Sequence, residues 1–261
     1  MNKINDLLER LFNVRLIRSA PLPKKQSVHK NMVVEFFGTS GVGKSTLCNY
    51  FIERTTVKEK ILQTADLVPY VRDKRVKLIG IYDALLSAKI DEVAAAPYAG
   101  FQKFNHIIYC HNVISIACMI KKYLNDKIVI LDEGLFQMFG RQIQKLEDDP
   151  QLQELFDKTI LIHCTASTDF IYNNIQKRAE NEKIVQLFHQ NQNKEELYRL
   201  VEKNVADINS FVQQLKKKGV AILEINTENL LSHNHELIEK YLETQIASSL
   251  CSSQQCPTIG G

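Results

Sequence analysis

The 261-residue sequence has no tryptophan, only ten glycines and only six prolines. So little Gly and Pro excludes collagen-like or linker-dominated sequence. No window approaches 18 uncharged apolar residues, so no membrane-spanning helix is expected. The six cysteines (48, 110, 118, 164, 251 and 256) show no zinc-ligand spacing. Four of them lie in apolar or helical stretches, where a free thiol behaves as a small hydrophobe. The amino terminus lacks the apolar core and small-residue cleavage site of a secretory signal. A reduced, cytoplasmic protein is the expectation.

What is present is a globular composition. Apolar residues make up 44% and charged residues 24%, enough for a full core and too apolar for a wholly disordered chain. The net charge of +3 is uneven. Residues 1–30 hold seven Lys or Arg against Asp6 and Glu9, a balance of +5, which leaves 3 − 5 = −2 for the rest. A near-neutral body with a basic extension implies no specific nucleic-acid partner.

Three regions follow. Residues 1–30 form an amphipathic helix and a basic linker: Ile4, Leu7, Leu8, Leu11 and Phe12 repeat at helical spacing, and Pro21 and Pro23 end the pattern. Two contacts fit the helix at 3–18. One is protein packing, on the body or as a homodimer. The other is peripheral contact with an anionic membrane, which Asp6 and Glu9 disfavour. Residues 31–247 form the main domain. Residues 248–261, without charge or periodicity, read as a disordered tail.

Within the main domain, apolar β-rich runs at 32–37, 127–132, 159–164 and 220–225 read as strands, with a weaker candidate at 61–67. Helical patterns cover 47–54, 72–89, 101–124, much of 169–217, and 236–247. The helix at 101–124 is apolar around most of its circumference and is expected to be buried. Strands that are continuous apolar runs and alternate with helices predict a parallel sheet covered on both faces.

Gly38, Thr39, Ser40, Gly41, Val42, Gly43, Lys44, Ser45 and Thr46 follow the first strand and run into a helix. Gly38–Ser45 spells GxxxxGKS, the P-loop pattern. Its glycines let successive backbone N–H groups turn inward on phosphate oxygens, and the following helix presents its positive end to the same anion. Lys44 then reaches the β- and γ-phosphates, and the Ser45 hydroxyl is placed to ligate Mg²⁺. Such a site also needs a carboxylate on a neighbouring strand end. The run Ile128–Leu131 ends in Asp132, the expected second metal residue, followed by Glu133. Glu133 fits two roles: a base for a substrate hydroxyl, or a residue that polarises water in an ATPase.

With these residues in view, the chain resembles the P-loop kinases of nucleosides and nucleotides, in particular the thymidylate-kinase and deoxynucleoside-kinase-like group, over residues 32–245. The likeness rests on the 38–46 loop, the long helix leading into the 128–132 strand, and the Ile175-Gln176-Lys177-Arg178 stretch after the next strand. It implies a three-layer P-loop NTPase fold of class α/β, with about five parallel strands and the N-terminal helix added. It also implies ATP and Mg²⁺ as cofactors and Arg178 as a lid residue over the phosphates. Lys44, Glu133 and Arg178 are then the expected catalytic residues. The chain departs from that group in having Asp132-Glu133 where Asp-Arg is usual, and Phe37 where an acidic residue precedes the loop. The acceptor is therefore an unidentified small molecule, expected between the 72–124 helices and the Leu135–Arg141 segment. The competing reading is a P-loop ATPase or nucleotide-binding switch acting with a protein partner.

Several residues carry bland expectations. His106 and His111 are five apart and do not share a helix face, so a metal pair is not expected. Glu35 inside a strand is expected to make a salt bridge at the sheet edge. The stretches Arg72–Lys77 and Lys216–Lys218 read as solvated basic faces.

Overall fold

The computed structural model describes residues 32–55, 61–63, 66–67, 78, 80–124, 127–146, 150–156, 159–182 and 193–252. The expected N-terminal helix at 3–18, the basic stretch at 72–77 and the tail beyond residue 252 lie outside these residues. Among the described residues, no helix is long and apolar enough to cross a membrane.

Five strands form one sheet: β1 Met32–Phe37, β2 Ile61–Gln63, β3 Ile128–Leu131, β4 Thr159–Thr165 and β5 Ala221–Asn226, in the order β2-β3-β1-β4-β5. Every pairing is parallel. The strand that carries the glycine loop is thus the centre of the sheet, with the Asp132 strand on one side. The weak second strand is shorter than expected, since residues 66–67 are already helical.

The helices are α1 Lys44–Arg54, α2 Ile81–Ala95, α3 Gly100–Tyr123, α4 Leu135–Lys145, α5 Pro150–Phe156, α6 Thr168–Glu182, α7 Lys194–Lys217 and α8 Leu231–Ser252. Alternation along β1 sends neighbouring side chains to opposite layers. Phe37 packs with Leu85, Ile114, Phe136, Phe139 and Phe211 on one face. Val34 and Phe36 pack with Leu47, Phe51, Ile162 and Ile238 on the other. Burying each such side chain contributes roughly 1.5–3 kcal/mol, so both layers are held mainly by apolar contact. The three-layer α/β fold with a five-stranded parallel sheet is the one expected.

Five helices differ from expectation. α2 begins at Ile81, after Gly80, and runs on to Ala95, where a helix over 72–89 was expected. α4 was not anticipated as a helix, although Leu135, Phe136, Phe139, Gln142 and Ile143 recur at helical spacing and are buried. α5 was not anticipated either. α8 begins at Leu231 and continues to Ser252, past the residue where a disordered tail was expected to start. α3 is buried only in its second half. Phe101 is 75% and Phe104 60% exposed, whereas Cys110, Ile114 and Cys118 are fully buried. Its later turns enter the core, whereas Phe101 and Phe104 face solvent in the early turns, where Lys103 bonds the Ala94 carbonyl at the end of α2.

Candidate functional site

β1 delivers the chain to the loop with Gly38 in a conformation open only to glycine, φ +152°. A Cβ there would lie 2.5 Å from the Cys164 carbonyl oxygen on β4. Gly41, at φ +87°, is confined in the same way: a Cβ would meet Ile175 of α6 at 2.8 Å. The loop is therefore folded tightly against β4 and α6. It ends at Gly43, the N-cap of α1, which has no side-chain cap, and the first turn of α1 carries no acidic residue. The positive end of α1 thus carries no acidic counter-charge in its first turn, which suits an external anion.

Lys44 sits within this curl. Its Nζ donates to the Gly38 and Thr39 carbonyls at 3.0 and 3.3 Å. Burial pushes its pKa below the usual lysine value, while the Glu133 and Asp132 carboxylates oppose that shift. The Arg178 guanidinium adds to the lowering, which places all three charged groups within electrostatic reach of Lys44. Arg178 itself is an exposed residue on α6. Lys44, Asp132, Glu133 and Arg178, far apart in sequence, thus converge on one end of the sheet.

Asp132 follows β3 directly. Burial raises the pKa of its carboxyl group and a hydrogen bond with Ser45 opposes the rise. Its Oδ1 is buried with no hydrogen-bond partner among the described residues. A buried carboxylate oxygen without a donor costs free energy unless something else occupies it. A divalent cation beside the Ser45 hydroxyl suits that position, so the donor set fits Mg²⁺. Glu133, the next residue, accepts a 2.6 Å hydrogen bond from the Tyr109 hydroxyl of α3. Burial, and then the Glu133 charge, push the Tyr109 phenol far above its ordinary range. The phenol therefore stays protonated and donates.

Glu35 does not make the expected salt bridge. β1 is central rather than an edge strand, and no cation pairs with Glu35 among the described residues. Its fully buried carboxylate accepts from the backbone N–H groups of Phe136 at 3.1 Å and Gln137 at 2.7 Å. It acts as an N-terminal cap for α4 supplied from the sheet. Burial pushes its pKa up to about 7 against the lowering effect of those amides. Behind it lies a cavity of about 60 Å³, lined in part by Val33, Tyr82, Lys121 and Phe136.

Three further residues brace the loop. The Gln137 Oε1 accepts from the Gly38 N–H at 2.9 Å. The Asn174 Nδ2 donates to the Gly41 carbonyl at 3.0 Å. The Thr227 hydroxyl bonds the Val42 carbonyl. Asn174 carried no signal in the sequence. Gln137 lies in the Leu135–Arg141 segment expected beside the acceptor, but its contact and that of Thr227 to the loop span 99 and 185 residues and follow no spacing rule. Of the bland expectations, Lys216 is not a freely solvated cation, because it pairs with Glu224.

A second polar group lies next to the carboxylates, between α2, α3 and α4. Lys89 bonds Glu92 at 3.0 Å, and Gln142 donates to the same carboxylate. Burial lowers the pKa of His106, with the Lys89 and Glu92 charges also acting on it. Arg141 and Glu92 both act on Tyr98. His106 lies one helical turn before Tyr109, so this group borders the Glu133 site. No His, Cys, Asp and Glu cluster with metal-binding geometry occurs among the described residues.

No family model matches the chain, and no characterised protein matches it in sequence. Solved structures do resemble it in fold. A deoxyadenosine kinase from M. mycoides, solved with bound dCTP, is 16% identical with a TM-score of 0.43, covering 82% of this chain and all of its own. A shikimate kinase from Bacteroides thetaiotaomicron is 13% identical with a TM-score of 0.40, covering 81% of this chain and 98% of its own. The likeness is one of fold alone.

Proposed function

We propose that the protein transfers a phosphoryl group from ATP to a small-molecule acceptor. The observation that carries this reading is the glycine loop that closes around Lys44, opposite the unpartnered Asp132 oxygen. In this reading the loop amides and Lys44 hold the triphosphate, and Ser45 and Asp132 hold Mg²⁺, which neutralises phosphate charge when bound. Arg178 stabilises charge on the moving phosphoryl group. Glu133 takes the proton of the acceptor hydroxyl, and Tyr109 keeps its carboxylate oriented. The polar group around Glu92, Tyr98, His106 and Arg141 suits an acceptor with several hydrogen-bonding groups.

A screen of nucleosides, nucleotides and sugars for acceptor-dependent ADP release tests this reading. ADP release that no acceptor stimulates, and that a protein partner accelerates, would favour the second reading, a P-loop ATPase or switch. The Asp132-Glu133 order supports that alternative, since a Glu beside the metal carboxylate also suits activation of water.

A further inference from the structure

The first loop glycine is gripped on both sides of one residue. Lys44 bonds its carbonyl and Gln137 accepts from its N–H. We propose that Gln137, itself held by buried Glu35, is a positioning residue that keeps the phosphate loop in register when Lys44 turns from the loop carbonyls to a bound phosphate. This rests on the reading of the loop as a nucleotide site.

The geometry forms a closed ring. Glu35 lies on β1 three residues before Gly38, with its side chain toward α4. Its carboxylate accepts from Phe136 and Gln137, the second and third residues of that helix. The Gln137 side chain then returns to Gly38. Gly134 is required for this seat, because a Cβ there would collide with the Glu35 carboxylate. The ring matters because the β1–β3 pairing ends at Glu35 opposite Leu131. Beyond that point no ladder bond joins the loop to the Asp132-Glu133 turn. The Gln137 contact on one side of the turn and the Ser45–Asp132 contact on the other take over that function. Lys44 is a poor permanent anchor, since the same ammonium must serve the phosphate.

Amide hydrogen exchange on the full chain without nucleotide, read at Gly38, tests the contact together with binding of a fluorescent ATP analogue. Gln137→Met keeps the bulk and removes the acceptor. It should speed Gly38 exchange about tenfold and weaken ATP-analogue binding by a similar factor. Gln137→Glu keeps an acceptor oxygen and should retain the slow exchange. Glu35→Gln should also speed exchange, but add nothing in the Gln137→Met background because it acts through Gln137. Unchanged exchange in Gln137→Met, equal acceleration in Gln137→Glu, or additive effects of the two sites would overturn the proposal. So would faster exchange with unaltered affinity. Wild type that binds no ATP analogue would overturn the nucleotide reading and the positioning role with it; the exchange pattern identifies that case, because it is measured without nucleotide.

Discussion

The Tyr109 hydroxyl donates to Glu133 Oε2 at 2.6 Å, tying the carboxylate that follows Asp132 to the long helix that precedes β3. Tyr109→Phe removes that donor and leaves the ring. The expected outcome is a several-fold lower kcat with ATP affinity unchanged, since a freely rotating Glu133 loses orientation toward the acceptor but touches no phosphate. Steady-state kinetics beside equilibrium ATP binding checks the split.

Lys44→Met removes the ammonium but keeps an aliphatic stem of similar length. Turnover should fall below detection and ATP affinity should drop at least tenfold, because the main cationic contact to the β- and γ-phosphates is gone. Thermal stability should hold or rise, since the residue is buried and its charge is disfavoured there. Calorimetric ATP titration together with a melting curve separates lost binding from lost fold.

Asp132→Asn should raise the Mg²⁺ concentration needed for half-maximal activity while metal-free nucleotide binding persists. The substitution neutralises the carboxylate whose Oδ1 has no donor among the described residues. A Mg²⁺ titration identical to wild type would move the metal ligand to Glu133.

Arg178→Ala should reduce kcat more than ATP affinity. The residue is exposed on α6, yet its charge reaches Lys44. A group placed so acts best on charge that develops during transfer. An equal loss in both quantities would make it a ground-state clamp.

Glu35 predicts a pH dependence of stability. Its pKa is raised from 4.5 to about 7 in the folded chain, so between these values the folded state binds the proton more tightly than the unfolded state. Stability from this group is therefore greatest at low pH, falls as pH rises from 4.5 to 7, and levels off above. The swing is about 3 kcal/mol. Tyr82 and Lys121 are the titratable groups that share its cavity. Glu35→Gln should remove the slope, so urea unfolding of wild type and variant should converge or cross within this window. Parallel pH profiles would show that Glu35 ionises normally.

Much of the architecture was legible because its signals are local. A strand buried on both faces reads as an unbroken apolar run, and four such runs lie within a residue or two of β1, β3, β4 and β5. α4 has a helical pattern of its own at 135–145, but it begins directly after the carboxylates, where the sequence equally fits a wall of the acceptor site. The partners of Glu35 are hidden for a different reason. A single strand does not reveal whether it is central or at an edge, and only the sheet order shows that β1 is central, with Glu35 turned to the amides that begin α4.

The sequence alone carries the glycine-loop pattern, since its glycines, Lys44 and Ser45 are contiguous and follow one spacing along a single turn. It also pointed to Asp132, because an apolar strand ending in an acid is again a local pattern. Only the folded chain shows that Tyr109 bonds Glu133, that Glu35 caps α4, and that Gln137, Asn174 and Thr227 brace the loop. These contacts join residues separated by 24 to 185 positions. Periodicity carries no record of such distances; they arise only when parallel strands bring the ends of distant segments to one edge of the sheet.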